Sequence, residues 1–380
     1  MDPILAWMQA KQEDLLSFLR AMVEIESPSG DEAGVTRFAN YLEEQTRDIA
    51  KMKRIKAPGL GPHLLLEFDL GGARKRGKKI LGLAHSDTVH PLGTLGKFPF
   101  SVRGGRVYGP GALDIKGGIA LFVFAMRALK ALKIPVSKPV VLQINSDEEI
   151  GSDSSRALTE KMAQDAGCVL VVEPGTGLTG KLKTARKGTG DYTVRIKGIA
   201  SHAGVDFLAG ASAIVELAKQ IEVIAGFTDL SKGLTVNPGV ISGGTRTNVV
   251  ASEAQVEVDI RIARLKDFTA LDKKFRKLKP FDKRCKIEVV GGLNRPPMER
   301  TKAIGELFAI AKKQAWELGI LLEESSTGGG SDGNFTAALG VPTLDGLGCV
   351  GEGAHTLNEN FLVERIPDRA ALLAKLIASL

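Results

Sequence analysis

Along this chain, apolar runs of about five residues recur between turn residues, and each stops on polar side chains able to bind a cation. Ile80 to Ala84 stops on His85-Ser86-Asp87, Val140 to Ile144 on Asn145-Ser146-Asp147-Glu148-Glu149, and Cys168 to Val172 on Glu173. Such runs predict strands buried on both faces of an α/β sheet, with Leu64 to Leu70 as a further strand. Between them the spacing is helical. Leu5, Met8, Leu15, Leu19 and Met22 predict an amphipathic helix over Pro3 to Ile25, and the turn Ser27 to Glu32 caps a second helix reaching about Glu44. Ile119 to Leu132 is apolar all round, which predicts a buried helix. Further helices are expected from about Ser152, over Thr301 to Leu318 and from about Pro367. The basic turn Gly71 to Lys79 and the Gly- and Pro-rich stretch His90 to Gly111 are expected to be loops, as is Ser326 to Asn334.

From about residue 188 to 296 the pattern changes. Tyr192 to Lys197 alternates as a half-exposed strand, followed by the helix Ala211 to Ile224, strands Leu234 to Ser242 and Ala254 to Ile262, a charged helix Asp267 to Lys279 and a strand Lys286 to Val290. None of these strands ends on acids. The expectation is an α+β unit of residues 188–296 inserted into an α/β domain made of 1–187 and 297–380. A chain of 380 residues is long enough for two cores.

Composition narrows the class. At 43% apolar and 25% charged residues the chain is an ordinary globular protein. Its net charge of +7 and pI near 9.2 come from dispersed cations, with short runs such as Arg74 to Lys79 and Lys273 to Lys279. With 5% aromatics and no recognisable nucleic-acid module, these read as solvated faces, so no nucleic-acid partner is expected. Cys168, Cys285 and Cys349 are an odd number at long spacings, which argues for packed, reduced thiols. The longest apolar run is too short to span a bilayer, and the first helix is amphipathic rather than a secretory signal. No membrane association is expected. The location expected is cytoplasmic, or periplasmic had a signal been removed.

The chemistry lies at the strand ends. Ligand sites of open α/β sheets sit beyond the carboxyl ends of strands. Taken singly, each candidate is ordinary: His85 with a solvated Asp87, Asp114 as a helix N-cap, Glu148 and Glu149 as surface acids. Repetition at successive strand ends puts them in one crevice. Glycines on both sides of Asp114, in Gly109-Pro-Gly-Ala-Leu-Asp114-Ile-Lys-Gly-Gly, let backbone approach and leave its carboxylate open to a ligand. Acids grouped after a buried strand call for a cation. His85 and Asp87 point to the same side, so Asp87 is expected to orient the imidazole. His85, Asp114, Glu149 and Glu173, with His355 if the C-terminal segment returns to the same sheet edge, form a thiolate-free set suited to Zn²⁺, with Co²⁺ or Mn²⁺ as substitutes. Five ligands suit two ions sharing a carboxylate better than one open site.

These motifs, with Ser201-His202-Ala-Gly and Gly328-Gly-Gly-Ser-Asp-Gly, resemble the zinc-dependent carboxypeptidase and deacylase family. That family includes glutamate carboxypeptidase, succinyl-diaminopimelate desuccinylase, acetylornithine deacetylase and aminoacylase, and the resemblance covers essentially the whole chain. It implies a zinc-exopeptidase-like catalytic domain with a central mixed sheet flanked by helices, plus an inserted, ferredoxin-like dimerisation and lid domain. It implies two Zn²⁺ per subunit, with Asp114 bridging, His85 and Glu173 completing one site, and Glu149 and His355 the other. Glu148 would be the general base, Asp87 would orient His85, and His202 would reach across a homodimer to the tetrahedral intermediate, with Asn248 as a second contact. A cis peptide after Asp114 is also implied. Ile115 departs from relatives that carry a second acid there.

The expected activity is release of a C-terminal amino acid, glutamate by closest resemblance, from a small peptide or N-acyl amino acid. Lys181, Arg261 and Arg295 would bind substrate carboxylates, and Gly329 and Gly330 would bring backbone amides to the substrate. The alternative within enzymes is deacylation of an N-acyl amino acid. A non-catalytic metal- or peptide-binding protein would lack a ligand or base, and all are occupied here. A phosphate-binding role for Gly328 to Gly330 fails because no Lys-Ser/Thr follows. His63 and His90 match no motif and are read as structural.

Overall fold

A computed structural model describes residues 2–71 and 77–380; most of the expected basic turn, including Arg74 to Arg76, lies outside the described residues. The chain forms two compact units. The first comprises residues up to Ala185 with Arg300–Ser326 and Ser331–Leu380, and the second Arg186–Glu299 with Thr327–Gly330. Sequence reading had placed the insertion at 188–296, with the 328–330 glycines outside it.

In the first unit a six-stranded mixed sheet runs in the order Ala50–Ile55, His63–Phe68, Val140–Asn145, Lys79–His85, Ala166–Val171, Thr343–Leu344. The last four are mutually parallel, and the first two continue the sheet antiparallel to their neighbours. Period-two alternation in Lys79–His85 sends Ile80 and Ala84 into one apolar layer and Leu81 and Leu83 into the opposite one. Gly82 faces the first layer, where a Cβ would come within 2.6 Å of the Phe122 ring. Phe122 belongs to Gly117–Ala131, the buried central helix, in which every residue from Ile119 to Met126 is inaccessible to water.

Three differences from the sequence pattern have physical reasons. The expected first helix is two, Pro3–Ala10 and Gln12–Val23, broken at Lys11 with no Gly or Pro to mark the break. Ala50–Ile55 (AKMKRI) is a sheet edge with no fully buried residue, so it carries no apolar run. The stretch His90 to Gly111 is not simply a loop: Ser101–Arg103 and Arg106–Tyr108 form a small antiparallel sheet with Asn360–Leu362 and Gly351–Glu352. That small sheet delivers the C-terminal segment, His355 included, to the Asp114 turn.

The second unit has βαββαβ order. Strands Gly188–Lys197, Thr235–Gly243, Glu253–Ile262 and Lys286–Arg295 form an antiparallel sheet ordered second, third, first, fourth. Helices Ala213–Ala225 and Leu265–Arg276 supply Leu217, Ile224, Leu271 and Phe275 to a core with Tyr192, Val194 and Val258, so the unit is ferredoxin-like. Among the described residues no helix is long and apolar enough to cross a membrane.

Candidate metal centre

His85 ends its strand beside Asn145 and is 1% exposed. Its Nδ1 lies 2.9 Å from the main-chain carbonyl of Asp87, whose carboxylate Oδ1 is farther away at 3.5 Å. The expected orienter is therefore chiefly the Asp87 backbone, which requires the proton on Nδ1 and turns Nε2 toward the cluster. The Asp87 carboxylate is used otherwise: it accepts from the amides of Glu148 and Glu149, each at 3.2 Å, and from Ser29 Oγ at 2.7 Å. It thus caps the short helical turn Glu148–Ile150 that presents the two glutamates. Of the three consecutive acids, Asp147 faces away, accepting from the amides of Ser154 and Ser155.

Asp114 stands in the turn before the central helix, and the peptide bond that follows it is cis. Its two oxygens diverge: Oδ1 lies 3.2 Å from His85 Nε2, and Oδ2 lies 3.3 Å from His355 Nε2. Glu173 Oε1 lies 3.5 Å from His85 Nε2, and Glu149 Oε2 lies 3.4 Å from His355 Nε2. Glu148 Oε2 sits 4.0 Å from His85 Nε2. Two ligand-competent triads result, His85 with Glu148 and Glu173, and His85 with Asp114 and Glu149. Glu148, expected as the base, is thus also within ligating reach. His355 sits on a left-handed backbone (φ 66°) in the turn between the two last strands of the small sheet.

The protein's own charges are poorly balanced here. Burial, followed by the neighbouring Asp114 and Asp87 carboxylates, pushes the Glu149 carboxyl up to about 8 against the opposing pull of His85 and His355. Burial also disfavours charge on His85, yet bonding to Asp114, Asp87 and Glu173 raises it well above the ordinary histidine value. Bonding to Asp114 lifts His355 to about 9 against desolvation. Asp114 is held far below the carboxylate range, its burial overcome by the two histidines. The Glu149 Oε1 atom is buried without a hydrogen-bond partner among the described residues. Diverging carboxylate oxygens, an orphan oxygen and a thiolate-free donor set fit a pair of divalent cations.

The other expected site residues fall elsewhere. Lys181 Nζ pairs with Glu323 at 2.9 Å, both partly exposed, and does not join the cluster. In the second unit His202 Nδ1 accepts from the amides of Gly204 and Val205, each at 3.1 Å, which leaves Nε2 to carry the proton of the neutral ring. The Asn248 carbonyl accepts from the Ala203 amide at 3.0 Å, so these two residues share one corner. Arg261 is held bidentately by Asp259 at 2.9 and 2.7 Å. Arg295 is buried, and its Cδ lies 2.9 Å from where a Cβ on Gly330 would stand. Arg186, which sequence reading passed over, donates from Nη1 to the carbonyls of Gly329 and Gly330 at 3.1 and 2.9 Å. Glu359, whose carboxylate accepts from the Leu113 and Asp114 amides, and His90, whose Nε2 lies 2.7 Å from it, escape sequence reading because a lone acid beyond a loop and a motif-free histidine carry no pattern. His63 has Ser146 and Ser154 at its ring nitrogens.

A mixed sheet whose parallel strands end in an imidazole and carboxylate cluster presents the donor set of a metal centre. Residues 82–379 match peptidase family M20/M25/M40, and the chain belongs to that family. It is 31% identical to carboxypeptidase G2 of Pseudomonas sp. (strain RS-16) over 97% of its own length and 90% of that protein's. It is 28% identical to succinyl-diaminopimelate desuccinylase of Xanthomonas euvesicatoria over 86% and 92% of the two chains. The crystal structure of aminopeptidase PepT from Bacillus cereus is similar with a TM-score of 0.80 and 26% identity, covering 97% of this chain and 98% of that one.

Proposed function

We propose that this hydrolase is a di-zinc exopeptidase that releases a C-terminal amino acid, glutamate in the first instance, from a small peptide or N-acyl amino acid. The divergence of the Asp114 oxygens toward His85 and His355 carries the reading, because one carboxylate shared between two ligand sets is what a dinuclear hydrolase requires. Zinc held by His85, Asp114 and Glu173 and by Asp114, Glu149 and His355 would acidify the attacking water and offset charge on the carbonyl oxygen. Glu148 takes the proton of that water and returns it to the leaving amine. Asp87 sets where Glu148 stands by holding its amide. His202, whose Nδ1 accepts from the Gly204 amide, keeps Nε2 as the donor that, as the family resemblance implies, would serve the oxyanion across a homodimer. Arg295, Gly329 and Gly330 would bind a substrate carboxylate. Lys181 and Arg261 already hold acidic partners, and would have to exchange them to do the same. Assembly as a homodimer through the second unit, with Asn248 beside His202, belongs to the same proposal.

The second reading, hydrolysis of an N-acyl amino acid, is favoured by the likeness to the desuccinylase. Zn²⁺ titration of metal-depleted protein decides. Glutamate release from an N-acyl glutamate should plateau near two equivalents, and Glu148→Ala should abolish it while both ions still bind. Two ions bound with no glutamate released, but with turnover of succinyl-diaminopimelate, would favour the second reading.

A further inference from the structure

The carboxylate of Glu359 lies outside the metal cluster and touches the turn that builds it. It is fully buried. Its Oε1 accepts from the amides of Leu113 at 2.7 Å and Asp114 at 3.0 Å, and its Oε2 accepts from the amide of Gly111 at 3.0 Å and lies 2.7 Å from His90 Nε2. Four donors saturate an ionised carboxylate, and charge-assisted bonds of this kind are strong in a dry interior. The turn so gripped carries Asp114. Glu359 itself follows His355 by four residues, on the segment that pairs Asn360 with Tyr108 and Gly351 with Phe361. One side chain therefore joins the loop bearing one expected ligand to the loop bearing another, and those two ligands face each other at 3.3 Å.

We infer that Glu359 is a positioning residue that fixes the spacing of Asp114 and His355, with His90 holding Glu359 in register. This rests on the dinuclear reading above. The competing view is that Glu359 only satisfies a buried turn, in which case its loss lowers stability without distinguishing one metal site from the other. An amide at this position turns an NH₂ toward two of the four donors, so Glu359→Gln keeps the volume and breaks the grip.

The test is Zn²⁺ titration of the metal-depleted full chain by calorimetry, with Co²⁺ absorption spectra and thermal midpoints, for wild type, Glu359→Gln and His90→Gln. In Glu359→Gln the Zn²⁺ equivalent expected at His355, a residue of one ligand set only, should weaken by about 10–100-fold, and the other, which shares Asp114 but keeps His85 and Glu173, by clearly less. The Co²⁺ bands should change only as the affected site fills. His90→Gln should show the same selectivity at smaller amplitude. Two unchanged Zn²⁺ steps beside a lowered thermal midpoint, or two steps weakened in equal proportion, would overturn the inference. If Glu359→Gln does not fold, His90→Gln decides, and an unaltered titration there overturns it. A wild type that takes up a single equivalent defeats the dinuclear reading itself, before any variant is compared.

Discussion

At the scale of single residues, the cluster separates the expected ligands from the groups that hold those ligands in place. Asp87 is the clearest case, because its carboxylate serves the amides of Glu148 and Glu149 more directly than it serves His85. Asp87→Asn keeps one acceptor oxygen and turns an amide against the other N–H. Turnover should fall about 10–100-fold, as for loss of other such supporting bonds. The fall should appear in kcat, with KM and bound zinc nearly unchanged; loss of both ions instead would return Asp87 to the service of His85. That His85, Glu149 and Glu173 would stand together was readable from apolar runs that end on an acid or imidazole and leave a charge where water is scarce. Asp114 stood out by the glycines around it before a buried helix, and His355 depended on the C-terminal segment returning to the same sheet edge. Glu359 was not legible, since nothing along the chain shows that a residue in a polar turn becomes fully buried. Lys181 shows the converse: the family resemblance makes it a substrate contact, and its ammonium is engaged by Glu323.

At the scale of elements, backbone approach sets the tolerances. Gly118 opens the central helix so close to the strand leading to Glu173 that a Cβ there would stand 2.1 Å from the Val172 carbonyl oxygen. Gly118→Ala has to push helix and strand apart, at a cost of about 1–3 kcal/mol. A urea midpoint indistinguishable from wild type would show that the helix can shift freely. The second unit has a pH response of its own. The buried Glu216 accepts from the amides of Phe281 and Asp282 and from Gln220. Desolvation opposes its charge, but those bonds win and hold its carboxyl below the ordinary value. A group whose folded pKa is depressed lends stability that is fully present above its unfolded value, near 4.5, and is lost as pH falls through the folded one. The amides of residues 281 and 282 should therefore open more readily as pH drops below that value, and Glu216→Gln should flatten the dependence. Hydrogen exchange measured from neutral to acid pH checks this; a variant with an undiminished acid response refutes it. The secondary structure was legible where burial was two-sided, as in Val140–Asn145, and illegible where three-residue strands such as Ser101–Arg103 and Arg106–Tyr108 form a short hairpin whose further partner, Asn360–Leu362, is distant in the chain.

At the scale of the whole molecule, the two cores are chemically distinct, and the expected ions touch only one of them. Removing zinc should lower the unfolding temperature of the first unit and leave that of the second where it was. A ligand bound to the folded form alone contributes about 2.7 kcal/mol when its free concentration is 100 times Kd. Scanning calorimetry with and without chelator reads this directly, and equal displacement of the whole endotherm would mean that the two cores unfold as one. The division into two units was foreseeable from the change of pattern near residue 188. The grouping of Thr327–Gly330 with the second unit was not, because those residues return to it from beyond the next helix, Lys302–Glu317.

The amides of Leu113 and Asp114 meet the Glu359 carboxylate across 246 and 245 residues of chain. A ribosome making this protein in order releases the His85 half of the cluster long before it has joined the amino acids that complete it. Until residues 355 to 359 have emerged and docked, the nascent polypeptide holds His85, Asp114, Glu149 and Glu173 without His355 or the Glu359 grip on the Asp114 turn. The closure of this cluster is therefore among the last steps that translation permits.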